Sequence, residues 1–372
     1  MKPTDESIEP VKDDVVSNNT CQKCGKTPNK IHAPRAFYFW PPQGHTETKI
    51  QSVISSTNSS IPTPGGLGIK MSDDAKALIS KLRETLTDLE LAETRCLVKG
   101  DDTDLSVDDI ANIGSAKQLF ALLEADEVIS IIDDDRISTF FQPIVQARQT
   151  NVPYAHECLM RVANVDGGYL NPAALFDTAR DADLIFPLDR AARETHIRSA
   201  SRQVAQTKFF INFMPTAIYD PKNCLRTTFN AIHQFGMQPN QFVFEVVESE
   251  KIDDPNHLKS ILRYYQHNGF EVALDDLGSG HATLSLLGEL KPNYVKLDME
   301  LVRDVHKDPY KSELVKHIIE LAHTFNIKVV AEGIEVLEES AYLVSQNVDY
   351  LQGYYFAKPA EASVERVERR RG

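Results

Sequence analysis

Over the last two thirds of the chain, short apolar runs of strand length recur between stretches with helical spacing. They are Phe140 to Val145, Tyr154 to Val162, Phe209 to Met214, Phe242 to Val247, Val272 to Leu277, Tyr294 to Met299, Val329 to Ile334 and Tyr350 to Ala357. Runs this short, rich in aromatic and β-branched residues, read as buried strands. Eight of them, mostly alternating with helical patterns, predict an α/β fold, a TIM-like (β/α)8 barrel. Only Gln146 to Pro153 separates the first two runs. A parallel crossover needs more chain, so the first strand is expected to pair antiparallel. Between strands, Asn171-Pro172 predicts an N-cap and first helical position, and Ser312 opens an amphipathic pattern through Leu314, Val315, Ile318, Ile319 and Ala322.

The amino-terminal third follows a different pattern. Residues 1–20 are polar and acidic and predict a disordered tail. Ala36-Phe37-Tyr38-Phe39-Trp40 predicts an aromatic strand, and residues 55–69, rich in Ser, Thr, Pro and Gly, a loop or linker. From Ser72 a helix is expected, with Ala75, Leu78, Ile79, Leu82, Leu86 and Leu89 near one face. Ser106-Val107-Asp108-Asp109 is a cap signal, and Ala116 to Leu123 repeats the apolar period. The expected division is a tail at 1–20, a small, mostly helical regulatory or sensory region at 21–110, the barrel at 115–362 and a basic tail at 363–372.

Composition narrows the classes. The 372 residues carry 40 Lys and Arg against 54 Asp and Glu, a formal charge of -14. That balance argues against a partner that is a nucleic-acid polymer and against a polybasic membrane binder. No basic segment leads into an apolar core at the start, and no apolar run reaches membrane-spanning length. Five scattered cysteines make no disulfide framework, so the expected home is a reducing cytoplasm. Cys21-Gln22-Lys23-Cys24 has the spacing of half a zinc site, which His32 and His45 or a second chain could complete. A Zn2+ knuckle, a redox dithiol and incidental thiols all stay open for it.

The chemistry gathers where the barrel runs end. Those ends supply Glu157, Asn212, Glu245 with Glu248, Asp275 with Asp276, Lys296, Glu332 with Glu335, and Gln352. In barrels of this kind such positions meet at one face. Adjacent aspartates converge on one ligand only where the strand turns, and Gly278 and Gly280 are the expected source of that turn. Carboxylates and an amide are hard oxygen ligands that suit Mg2+, Mn2+ or Ca2+ rather than zinc. His156-Glu157 opens like a helical zinc motif, but its second histidine position is Met160, which excludes that reading. Two divalent cations roughly 4 Å apart would let so acidic a site handle a phosphodiester.

The segments Gln142-Pro143-Ile144-Val145, Glu157-Cys158-Leu159-Met160-Arg161, Asn212-Phe213-Met214-Pro215, Glu245-Val246-Val247-Glu248, Asp275-Asp276-Leu277-Gly278-Ser279-Gly280, Lys296-Leu297-Asp298, Ala331-Glu332-Gly333-Ile334-Glu335 and Gln352-Gly353-Tyr354 resemble the EAL-domain phosphodiesterases. The resemblance covers roughly residues 125 to 360. It implies a barrel that hydrolyses cyclic di-GMP to linear pGpG with two Mg2+ or Mn2+ ions, most often as a homodimer. By the same resemblance Glu157, Asn212, Glu245 and Asp275 would hold one metal, with Asp275 shared, and Asp276 and Glu332 would serve the second. Lys296 and Gln352 would position water, and Glu248 would brace the loop after Asp276. Gln142, Leu159 and Arg161, with Asn212, would meet the nucleotide. Cys158 stands where the family has Ala, and Leu277 where it has Phe. The rival reading is a receptor that binds the dinucleotide without cutting it.

Overall fold

A computed structural model describes residues 34–42, 44–55, 60–70, 75–100, 105–164, 167–203, 207–247, 254–277 and 284–367. The tail at 1–20, Cys21 and Cys24, Glu248, the glycines after Asp276 and the Arg369–Arg371 cluster lie outside these residues. The chain forms two compact units. One takes Ile137–Leu170 and the described chain from Asp189 onward; the other takes the described chain from residue 34 to Arg136 together with Asn171–Leu188.

In the amino-terminal unit, β1 (Ala36–Trp40) is the aromatic strand expected from the sequence. It is central to a sheet with β2 (Ser60–Ile61), β3 (Leu67–Lys70), β4 (Arg95–Lys99) and β5 (Gly114–Ser115), in the order β2-β3-β1-β4-β5. The pairs are antiparallel. Two strands therefore lie within the stretch read as a linker. Gly68 explains why the pattern hid them: a Cβ there would run into Thr63 and Ile61, so this strand uses a residue that ordinarily weakens one. Helices still make up more of the unit than strands. Their apolar faces, with Ile50, Val53, Leu78, Leu82 and Phe120, cover Phe37, Phe39, Ile69 and Val98 on one side of the sheet.

The helical run from Ala75 to Leu89 is two helices, Ala75–Thr85 and Asp88–Glu93. Thr87 and Glu90 exchange hydrogen bonds in a capping box, Glu90 N to Thr87 Oγ1 at 3.3 Å and Thr87 N to Glu90 Oε2 at 2.9 Å. A fresh N-terminus thus starts inside the apolar stripe, and Leu89 is left exposed. Ser106 caps a short 3-10 turn at Val107–Asn112, and the helix expected from Ala116 spans Ala116–Glu124.

The second unit is a closed eight-stranded barrel. Its strands are β6 (Ile137–Gln146), β7 (Gln149–Val162), β8 (Lys208–Phe213), β9 (Phe242–Val247), β10 (Glu271–Leu277), β11 (Tyr294–Leu297), β12 (Lys328–Ala331) and β13 (Tyr350–Gln352). From β7 to β13 neighbouring strands are parallel, while β6 is antiparallel to both β7 and β13. The short β6–β7 connection dictates this, as its length predicts. In the Asn171–Leu188 segment, which belongs to the amino-terminal unit, Asn171 caps its helix by accepting Ala173 N at Oδ1, 3.0 Å. The helix expected from Ser312 begins earlier, at Pro309 behind the Asp308 cap, while the Ser312 hydroxyl donates to Val305 O.

Candidate active site

Strand alternation sends Glu157, Leu159 and Arg161 of β7 to one face and Cys158, which is buried, to the other. On the antiparallel partner Gln142 stands opposite Glu157, Phe140 opposite Leu159 and Ser138 opposite Arg161. Glu157 is the hub at this side of the barrel mouth. Gln352 Nε2 donates to its Oε2 at 2.6 Å, Asn212 Nδ2 to its Oε1 at 3.4 Å, and Gln352 Nε2 also reaches Gln142 Oε1 at 3.2 Å.

Lys296 occupies the centre. Its Nζ lies 2.5 Å from Glu332 Oε1, 2.8 Å from Glu245 Oε1, 3.1 Å from Asp275 Oδ1 and 3.7 Å from Glu157 Oε1, with the side chain 1% exposed. The ammonium is held by the summed attraction of four carboxylates. Burial opposes its charge, yet Asp275, Glu157, Glu245 and Glu332 together push its pKa well above the ordinary lysine value. Glu245 shows the converse. Burial, followed by repulsion from Glu157, Asp275 and Glu332, drives its carboxyl well above the usual range, against the pull of Lys296.

Within the described residues the backbone already turns at the second aspartate. The register between β10 and β11 shifts between Leu274 and Leu277, and Asp276 sits in the left-handed region at φ 59°. This is a bulge one residue after Asp275, within the strand and before the glycines, and it re-aims Asp276. Asp276 N donates to Asp275 Oδ1 at 3.0 Å. Burial first and the Asp275 charge second raise the Asp276 pKa to about 6.

Other expected residues stand farther out. Arg161 donates to Met160 O at 2.8 Å and lies 5.3 Å over the Phe140 ring. It is a cation held near the mouth by stacking, outside the carboxylate cluster. Leu159 is half-buried beside it. Glu335 makes a two-pronged pair with Arg303, both contacts 2.7 Å. Gly333, at φ 67°, passes so close to Met299 that no side chain fits, which fixes the turn carrying Glu332.

Two supports escaped the sequence reading. Glu339, buried, accepts backbone N–H groups from Asp304 (2.9 Å), Glu335 (3.0 Å) and Val336 (3.3 Å), tying the loops after β11 and β12 together. The helix starts on Val336, whose side chain cannot accept a hydrogen bond, so only the Glu339 half of a capping box is made and no Ser or Thr advertised it. Asp189 and Arg193, both buried, pair on the helix Ile185–Ala200. Opposite charges four apart on the apolar side of a helix were the available signal.

Residues 121–359 match the family model described as EAL domain. The chain is 33% identical over 235 residues to the probable cyclic di-GMP phosphodiesterase PdeG of Escherichia coli K12, covering 61% of this chain and 45% of that protein. It is 30% identical to the cyclic di-GMP phosphodiesterase PdeR of the same organism, covering 62% and 35%. The chain thus spans less than half the length of these relatives. Among solved structures, a standalone EAL protein from Vibrio cholerae O395 in its c-di-GMP-bound form superposes with a TM-score of 0.56 at 34% identity, covering 62% of this chain and 95% of that one. The FimX EAL domain from Pseudomonas aeruginosa, at 22% identity and a TM-score of 0.58 over 65% of this chain and 98% of that one, shares the fold.

Proposed function

This chain belongs to the EAL domain family, and from that membership we propose that its barrel is a metal-dependent phosphodiesterase hydrolysing cyclic di-GMP to linear pGpG. The observation that carries the reading is the Lys296 ammonium buried among Glu157, Glu245, Asp275 and Glu332 at the ends of the barrel strands. So much buried charge is costly unless it serves a reaction.

The donor set fits divalent cations. Glu245 Oε2 and Asn212 Oδ1 are buried without hydrogen-bond partners, and Glu245 Oε1 has the Lys296 ammonium at 2.8 Å, an arrangement that a bound cation would complete. Among the described residues no three acidic, histidine or cysteine side chains already stand at common metal spacing. The carboxylates are drawn toward the ammonium, which supplies the positive charge here. Glu157, Asn212, Glu245 and Asp275 would hold one Mg2+ or Mn2+, and Asp276 and Glu332 the second. Bound cations would polarise the phosphodiester and ease ionisation of water.

The chain's own groups do the rest. Lys296, kept protonated by its neighbours, offsets charge that develops on the phosphoryl oxygens. Gln352 commits its amide N–H groups to Glu157 and Gln142, while its Oε1 is buried and unpartnered, an acceptor for the attacking water. Gln142, Leu159 and Arg161 line the approach for the nucleotide, the Arg161 guanidinium suiting phosphate. The amino-terminal region modulates this activity without performing it, and the protein acts as a homodimer. A monomer mass throughout a concentration series would exclude the dimer. Incubation with cyclic di-GMP and Mn2+, followed by chromatography, tests the reaction: pGpG supports hydrolysis, whereas recovery of intact bound ligand would make the protein a receptor.

A further inference from the structure

Asn212 is the one uncharged member of the donor set, so no net charge draws it toward a cation. Apart from the long 3.4 Å bond from its Nδ2 to Glu157 Oε1, its position comes from the backbone, and β8 ends one residue later, at Phe213. Beyond that point Met214 N leaves the sheet and donates to Asp189 Oδ1 at 3.0 Å. Met214 O accepts from Ala217 N at 3.1 Å, and Pro215 between them has no N–H to offer. Asp189 is itself fixed from behind. Its Oδ2 accepts Arg193 Nε at 2.9 Å and lies at ion-pair distance, 2.8 Å, from Arg193 Nη2, while Arg193 Nη1 donates to Thr228 Oγ1. Arg193 is fully buried and Asp189 is 2% exposed.

A buried ion pair is a poor stabiliser, since apolar side chains of similar volume often serve as well or better. What this pair does that apolar residues cannot is hold a carboxylate oxygen rigidly against one backbone N–H beside the site. We propose that Asp189, locked by Arg193, is a positioning residue that pins the end of β8 and so presents Asn212 Oδ1 to the cation. The inference rests on the metal-site reading above. Supports of this outer kind commonly alter metal affinity about 10- to 100-fold.

The test separates the acceptor from the charge. Two double variants both remove the ion pair: Asp189→Asn with Arg193→Met keeps an oxygen for Met214 N, and Asp189→Leu with Arg193→Met does not. Neither leaves an unpaired buried charge, so both are expected to fold. Mn2+ alone is titrated calorimetrically into the full chain, with no substrate present. The Asn-containing variant should bind within a few-fold of wild type and the Leu-containing one about tenfold more weakly. Equal affinity of the two would overturn the positioning role while leaving the metal site intact. Wild type that takes up no Mn2+ would overturn the metal-site reading and this inference with it. A second measurement needs no variant: the Met214 amide of wild type should exchange its hydrogen slowly, and rapid exchange would also overturn the proposal.

Discussion

The barrel and the amino-terminal unit bury different kinds of side chain. In the amino-terminal unit Phe37, Phe39, Ile50, Ile69, Leu82 and Phe120 form an apolar core, and the one buried charge among its described residues, Lys99, is paired with Asp109 at 3.1 Å. The barrel buries Glu157, Glu245, Asp275, Lys296, Asp189 and Arg193 in addition to its apolar shell. The first unit follows the rule that apolar area drives folding. The second departs from that rule at the strand ends, where a large stable scaffold tolerates the cost. On the proposed function, buried charge marks where the chemistry would take place, and the described residues of the other unit hold almost none of it.

The sharpest way to break this contrast is to remove the central charge. Lys296→Met leaves four carboxylates facing one another, and conversion of cyclic di-GMP should fall at least about a hundredfold. The metal-free variant should also melt below wild type, with added Mn2+ recovering most of the loss. Conversion within threefold of wild type would contradict the assignment. The matching change in the other unit is Phe39→Ala, which should cost that unit about 3 to 5 kcal/mol in a denaturant titration. Turnover per folded barrel should then change only a few-fold; its complete loss would show that the amino-terminal unit does more than modulate.

Acid should separate the two units. Burial lowers the His156 pKa to about 4 and the His196 pKa to about 3, the latter with Nδ1 2.8 Å from Thr139 Oγ1. Both folded values lie below the unfolded value of about 6.5, so unfolding takes up protons between them. The contribution of these two histidines to barrel stability is thus fully present above pH about 6.5 and is lost as pH falls through about 4 for His156 and about 3 for His196, by on the order of 3 and 5 kcal/mol at most. Among the described residues of the amino-terminal unit the only histidine, His45, is exposed, so this mechanism is absent there. Urea midpoints for each unit across that window check the difference, and equal acid sensitivity would contradict it. The smallest effect should come from Glu335→Gln. Its pair with Arg303 is roughly 40% exposed, so water screens it, and the loss should stay below about 1 kcal/mol with near-normal turnover.

The barrel was legible because each strand is a short apolar run that stops on a polar group, and strand ends meet by topology alone. Glu157, Glu245, Asp275, Lys296, Glu332 and Gln352 could therefore be placed together from order and alternation. What escaped was local or distant. The bulge at Asp276 depends on backbone conformation rather than on residue type, so the glycines beyond it drew the attention. Asp189 lies on a helix well before Met214 in the chain, and nothing in a linear pattern connects a helical carboxylate to one strand-end amide. In the amino-terminal unit, strands of two and four residues fall below the length at which periodicity separates strand from loop.

The central claim is that the carboxylates around Lys296 form a phosphodiester-cleaving site rather than an ion-pair network that merely supports the barrel. Its most direct test is product analysis of cyclic di-GMP incubated with Mn2+ and either wild type or Asp275→Asn, sampled side by side. The account predicts pGpG from wild type and formation at least about a hundredfold slower from the variant. Equal rates from both proteins, or intact cyclic di-GMP from wild type, would contradict it.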